Sequence, residues 1–199
     1  MNVLSLFDGM SCGQIALERV GIKVDNYFAS EIDKYAIKVT QSNYPNTKQV
    51  GNVEFVTKEM INTNVDLLIG GSPCQGFSFA GKQLNFEDDR SKLFFEFVRL
   101  KKELNPKYFL LENVKMKKEF QDIISSYLEC EPVIINSALV SAQNRLRLYW
   151  TNIPNITQPK DKDIVIKDIT EDGSNKIGAM RGRYLINGKR QDYKMKTEG

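Results

Sequence analysis

The chain has 199 residues, 41% hydrophobic and 27% charged, a formal net charge of +3, and no histidine. That composition suits one soluble domain with enough apolar material for a core, and a mean hydropathy of −0.38 without a long apolar run excludes a transmembrane segment. The missing imidazole excludes histidine-dependent metal sites and every Ser/His or Cys/His nucleophilic pair.

In chain order, "MNVLSLFDGM" has no basic leader, and its apolar run stops at Asp8. It predicts a first strand and not a signal peptide, so the cytoplasm is the expected compartment. Residues 11–20 have helical spacing, with Ile15, Ala16 and Val20 on one face. "VDNYFAS" predicts a second strand and Asp33 to Asn43 a helix. "VDLLIGG" and "KYFLLEN" are continuous apolar runs, the pattern of strands buried on both faces. "SKLFFEFVRLKKEL" between them has helical spacing; a helix from Lys117 to Leu128 and strands over "PVIINSA" and "LRLYWTN" follow. This alternation predicts a doubly wound, Rossmann-like α/β sheet.

After about Pro154 the sequence turns polar and turn-rich. Residues 1–154 are therefore expected to form the α/β domain, and 155–199 an incomplete second region. From Lys176 to Lys196 seven positive residues face Asp192 alone, a local +6 that leaves −3 for the rest. Such a tail suits a polyanion such as nucleic acid; a solvated surface segment explains the same charges.

Cys12, Cys74 and Cys130 form no CxxC pair, and an odd count without an export signal predicts reduced thiols. The first strand enters "FDGMSCGQ", a turn with Gly9 and Gly13 but without the full GxGxxG, where a tight structural turn would look the same. Glu31, ending the second strand some ~20 residues on, can accept hydrogen bonds from ribose hydroxyls; it could equally be a carboxylate at a helix N-terminus. Together the two favour an adenosine-containing cofactor. Cys74 lies just past an apolar run, between Pro73 and Gly76, where a thiolate could add to an electrophilic carbon. A small half-buried hydrophobe is the ordinary alternative. Glu112 ends a strand expected to neighbour the Cys74 strand, and a carboxylate there is costly unless paired or functional. Arg145 and Arg147 sit two apart, hence on one face if both are in the strand; each could instead be a surface charge or half of an ion pair.

"FDGMSCG", "SPCQGFS", "ENV" and "QNRLRLYW", in that order and spacing, resemble the motifs of cytosine-5 DNA methyltransferases of bacterial and phage type. "RSKLFFEFVRL" and "VSAQNRLRLYWTNIP" are also similar to the mammalian de novo enzymes, and the likeness spans about residues 1–154. The resemblance implies methyl transfer from S-adenosylmethionine to carbon 5 of a cytosine flipped out of double-stranded DNA, without a metal. Cys74 would add to carbon 6, Glu112 would bind the ring nitrogen 3 edge, and Arg147, with Arg145, would hold the base carbonyl. The cofactor would meet Phe7, Asp8, Gly9, Ser11, Cys12, Glu31, Ile32, Asn52, Val53, Pro73 and Leu93. Gln75, Ser78, Arg181 and Arg183 would contact DNA.

Two departures stand out: Ser11 and Cys12 where many members have a second glycine, and Asn52 where an aspartate usually reads the adenine amino group. A relative acting on transfer RNA and a non-catalytic binding module are the alternatives. The resemblance also implies a longer recognition region and two closing motifs, unmatched after residue 154. Cofactor binding is therefore expected to be weaker than in a full-length relative, with sequence-specific methylation lost or very poor. A tritium-transfer assay checks this, and robust cytosine methylation by this chain would refute it.

Overall fold

The aliphatic and β-branched runs become strands in the computed structural model, which describes residues 1–72 and 89–169 and the backbone of 185–186 and 189–190. They are β1 (Asn2–Leu6), β2 (Asn26–Ser30), β3 (Lys48–Gln49), β4 (Leu67–Gly70), β5 (Tyr108–Val114), β6 (Val133–Asn136) and β7 (Leu146–Thr151). They form one seven-stranded sheet in the order β3-β2-β1-β4-β5-β7-β6. β1 pairs in parallel with β2 and β4, β2 with β3, and β4 with β5, whereas β7 runs antiparallel to β5. The helices are α1 (Cys12–Arg19), α2 (Lys34–Asn43), the short α3 (Lys58–Ile61), α4 (Asp89–Leu104) and α5 (Lys118–Leu128). This is a doubly wound, Rossmann-like α/β arrangement with one antiparallel strand pairing.

Contacts divide the chain into two compact units, Met1–Ile135 with Leu146–Gln158, and Asn136–Arg145 with Pro159–Gly199. The first contains almost the whole sheet. In the second, the Leu139 carbonyl accepts the Lys162 amide at 2.9 Å, and β8 (Leu185–Ile186) pairs antiparallel with β9 (Lys189–Arg190).

Two expectations need correction. β3 and α3 went unread because two and four residues are too few to show a period. β5 is not buried on both faces: Phe109, Leu111 and Asn113 are buried, while Leu110, Glu112 and Val114 on the other face are partly open. The open face of β5 is the one that carries its charged side chain.

The main core joins Leu4, Leu6, Leu68 and Leu111 of the sheet to Phe94, Phe97 and Leu100 of α4 and Ile124 and Leu128 of α5. Trp150 of β7 is fully buried there, and its indole N–H donates to Ser125 Oγ of α5 at 3.0 Å. That contact fixes β7 against α5. Trp150→Ala should lower the unfolding free energy by about 3–5 kcal/mol, the ordinary cost of emptying a large aromatic site. Urea titration reads this, and a loss below ~1 kcal/mol would contradict the packing described.

Candidate active site at the carboxyl edge of the sheet

The chain runs from β1 outward to β2 and β3, then crosses back to β4 on the other side of β1, so the strand order reverses between β1 and β4. Such a switch point opens a crevice at the carboxyl ends of the strands. The loop leaving β1 turns sharply: Phe7, Gly9 and Ser11 all have positive φ, at 55°, 60° and 59°. Glycine suits this region, and a serine there needs support. Ser11 finds it, being fully buried with its hydroxyl donating to the Asp8 carboxylate. Asp8 Oδ1 also accepts from the buried Tyr27 hydroxyl at 2.7 Å. Burial first, then the Asp8 charge, pushes the Tyr27 phenol far above its usual range, so it remains a donor. A hydrogen-bonded serine thus stands where the resemblance led one to expect glycine. Gly13 does need its missing side chain, since a Cβ there would lie 2.4 Å from Ile69 Cδ1 and 2.8 Å from the Tyr27 hydroxyl.

Glu31 follows β2. Its Oε2 accepts the Gly9 amide at 2.7 Å, and Oε1 accepts those of Ile32 and Asp33 at 2.7 and 2.9 Å. The capping of α2 belongs to Asp33, which accepts from the Tyr35 and Ala36 amides. Glu31 is therefore not the helix cap; it is a carboxylate held rigidly against the first loop. Asn52 precedes the turn over Val53–Phe55, and its Oδ1 accepts the Glu54 amide at 3.2 Å.

Phe7, Ser30, Glu31, Ile32, Asn52, Val53 and Leu93 line one pocket of about 200 Å³. Every lining residue except Ser30 was singled out from sequence, and Ser30 adjoins Glu31. The volume falls below the ~300–1,000 Å³ of a typical small-molecule site. Asp8, Gly9 and Ser11 shape the loop beside it, and Cys12 is exposed at the start of α1.

Two strands away, Glu112 and Arg147 meet. Arg147 Nε lies 2.7 Å from Glu112 Oε1, with the side chains 15% and 33% exposed. The Nε–H itself has no aligned acceptor, so this is a close ion pair and not a hydrogen bond, while Nη1 donates to the Leu146 carbonyl at 2.8 Å. A Cβ on Gly71 would stand 3.0 Å from Glu112 Oε2, so glycine at the end of β4 leaves room for this carboxylate. Next to Glu112, buried Asn113 donates from Nδ2 to the Ser72 carbonyl and hydroxyl, both at 3.3 Å. Ser72 is the last described residue before Pro73 and Cys74. Sequence reasoning passed over Asn113, although its place beside Glu112 was a signal.

Arg145 does not share the β7 strand with Arg147. It is exposed one residue before the strand and belongs to the second unit, where its amide donates to Asn136 Oδ1 at 3.0 Å. The alternation expected to align the two arginines therefore does not apply. Pro73, Cys74, Gln75, Ser78, Arg181 and Arg183 lie outside the described residues. Among the described residues no cluster of Cys, Asp and Glu could hold a metal, and no helix is long and apolar enough to cross a membrane.

A larger cleft of about 480 Å³, lined by Lys101, Lys102, Phe109, Cys130 and Asn152 among others, lies at the opposite edge, where β5 begins and β7 ends. Size favours that cleft, and topology favours the smaller pocket. Topology decides, because in an open α/β sheet ligands bind where loops converge at the carboxyl ends of the strands. Asn113→Ala should cost about 1–3 kcal/mol by leaving buried Ser72 groups unpartnered. Denaturant titration checks this, with unchanged stability contradicting the assignment.

The model of the C-5 cytosine-specific DNA methylase family matches residues 1–197. The chain is 46% identical to Type II methyltransferase M.Eco47II of Escherichia coli over 57% of its length and 27% of that enzyme. It is 34% identical to the orphan methyltransferase M.SPRI of Bacillus phage SPR over 89% of its length and 44% of that protein. Among solved structures, a DNA modification methyltransferase encoded within an E. coli prophage superposes with a TM-score of 0.63 at 30% identity, covering 76% of this chain and 46% of that one. A Spodoptera frugiperda DNMT2 structure shares the fold, with a TM-score of 0.60 at 24% identity over 82% of this chain and 54% of that one. The chain thus spans less than half the length of these curated relatives.

Proposed function

The chain belongs to the C-5 cytosine-specific DNA methylase family, and from that premise we propose that it carries the cofactor-binding and catalytic part of a DNA cytosine-5 methyltransferase. The observation that carries this is the Glu112–Arg147 pair on the same sheet edge as the Glu31–Asn52 pocket. The pocket suits an adenosine. Phe7, Ile32, Val53 and Leu93 supply apolar walls for the base, rigid Glu31 retains lone pairs for ribose hydroxyls, and Asn52 offers an amide to the adenine edge. Bound there, S-adenosylmethionine would supply an electrophilic methyl group.

The chain's own residues do the rest. The Cys74 thiolate adds to cytosine carbon 6, and the displaced electron pair makes carbon 5 nucleophilic. A proton held between Glu112 and ring nitrogen 3 offsets the negative charge that develops on the ring during addition, while Arg147 donates to the base carbonyl oxygen. After carbon 5 is methylated, its proton passes to water and the thiolate leaves. Duplex DNA is the proposed partner, and flipping the base costs a few kcal/mol (~3).

Incubation with S-adenosylmethionine and a duplex pool carrying 5-fluorocytosine tests the reading, because fluorine cannot leave as a proton. A covalent protein–DNA adduct is expected, absent in Cys74→Ser and reduced by about 10²-fold or more in Glu112→Gln. No adduct with duplex while a fluorinated RNA pool is trapped would redirect the activity to RNA, and no adduct with either would sink the catalytic proposal.

A further inference from the structure

The pocket wall that presents Asn52 and Val53 is a single short turn, Val53–Phe55, with Val56 beyond it. Its outward carbonyls are taken up by α4. Arg99 Nη2 donates to the Val53 carbonyl at 3.2 Å and the Val56 carbonyl at 3.1 Å. The rest of the guanidinium is fixed from within the helix, Nε donating to Glu96 at 2.8 Å and Nη1 to Glu103 at 2.9 Å. Lys92 adds a second tie, 3.1 Å from Glu54 of the same turn. α4 also supplies Leu93 to the pocket. One half-buried guanidinium and one lysine therefore tie α4 to the turn on the other side of the pocket.

We propose that Arg99 is a positioning residue for the cofactor, holding the Asn52–Val53 turn at the distance from Leu93 that an adenosine requires. The proposal rests on the cofactor reading given above. A planar fork is needed because four bonds leave one guanidinium in three directions, and an ammonium lacks that fixed geometry.

Calorimetric titration of the chain with S-adenosylhomocysteine, well below its melting temperature, separates this role from plain stabilisation. Arg99→Met should raise the dissociation constant by about tenfold, and Arg99→Lys should recover only part of that loss. Lys102→Gln, which removes one exposed charge from the same helix without touching Arg99, should stay within about twofold of the unsubstituted chain. Hydrogen exchange should quicken at amides 53–56 in Arg99→Met without quickening in β1 and β4. Wild-type affinity in Arg99→Met, or weakening accompanied by equal loss of protection in β1 and β4, overturns the proposal. Should Arg99→Met fail to fold, Arg99→Lys decides: weaker binding at native melting temperature supports the role, and unchanged binding overturns it. Absence of binding by the unsubstituted chain defeats the cofactor reading, and this inference with it.

Discussion

Register between β5 and β7 determines whether Glu112 and Arg147 meet at all. Glu112 stands opposite Tyr149 and Val114 opposite Arg147, which makes Glu112 and Arg147 diagonal neighbours on one face. The alternate residues, Leu148 and Trp150, face the core. A slip of one residue would bury the arginine and expose the tryptophan. Trp150, seated against Ser125, makes that slip prohibitively costly, so a core contact holds the guanidinium in place. The ion pair itself is a poor stabiliser. Arg147 is largely withdrawn from water, and its Nε–H is not aligned with the carboxylate it approaches. Desolvation of that kind is offset only by good geometry.

The parallel pairing of β1 with β4 joins this pair to the pocket lined by Glu31 and Asn52. Leu6 is opposite Gly70, so the loops leaving the two strands open from the same level of the sheet. Glycine at 70 and 71 keeps that level clear, since a Cβ at Gly70 would press within 3.1 Å of Phe97 and one at Gly71 would crowd Glu112. The Asp8–Ser11–Tyr27 network and the three amides on Glu31 stiffen the cofactor side without a full glycine fingerprint. Asn113, reaching Ser72, does the same where β5 adjoins the end of β4.

Much of this was legible in the residues. β1, β2, β4 and β5 announce themselves as short apolar runs, and the acidic residues just past β2 and inside β5 mark Glu31 and Glu112 as unusual. Illegible features depend on contacts far apart in sequence. Tyr27 meets Asp8 across nineteen positions, and Arg99 meets the Val53 turn across forty-six. Arg145 misled for a local reason: its amide is drawn to Asn136, so the chain enters β7 one residue later than strict alternation with Arg147 requires. The half-open face of β5 was hidden because Leu110 and Val114 look as apolar as the buried residues between them.

The central claim is a location: the nucleoside end of the cofactor sits at the carboxyl edge, against Phe7, Glu31 and Asn52. Hydrogen exchange with and without S-adenosylhomocysteine tests that location directly. Slowed exchange should be confined to the segments around residues 7–12, 30–33 and 50–56. Protection appearing instead around Lys101 to Phe109 and Leu128 to Cys130, in the larger cleft at the opposite edge, would contradict the account.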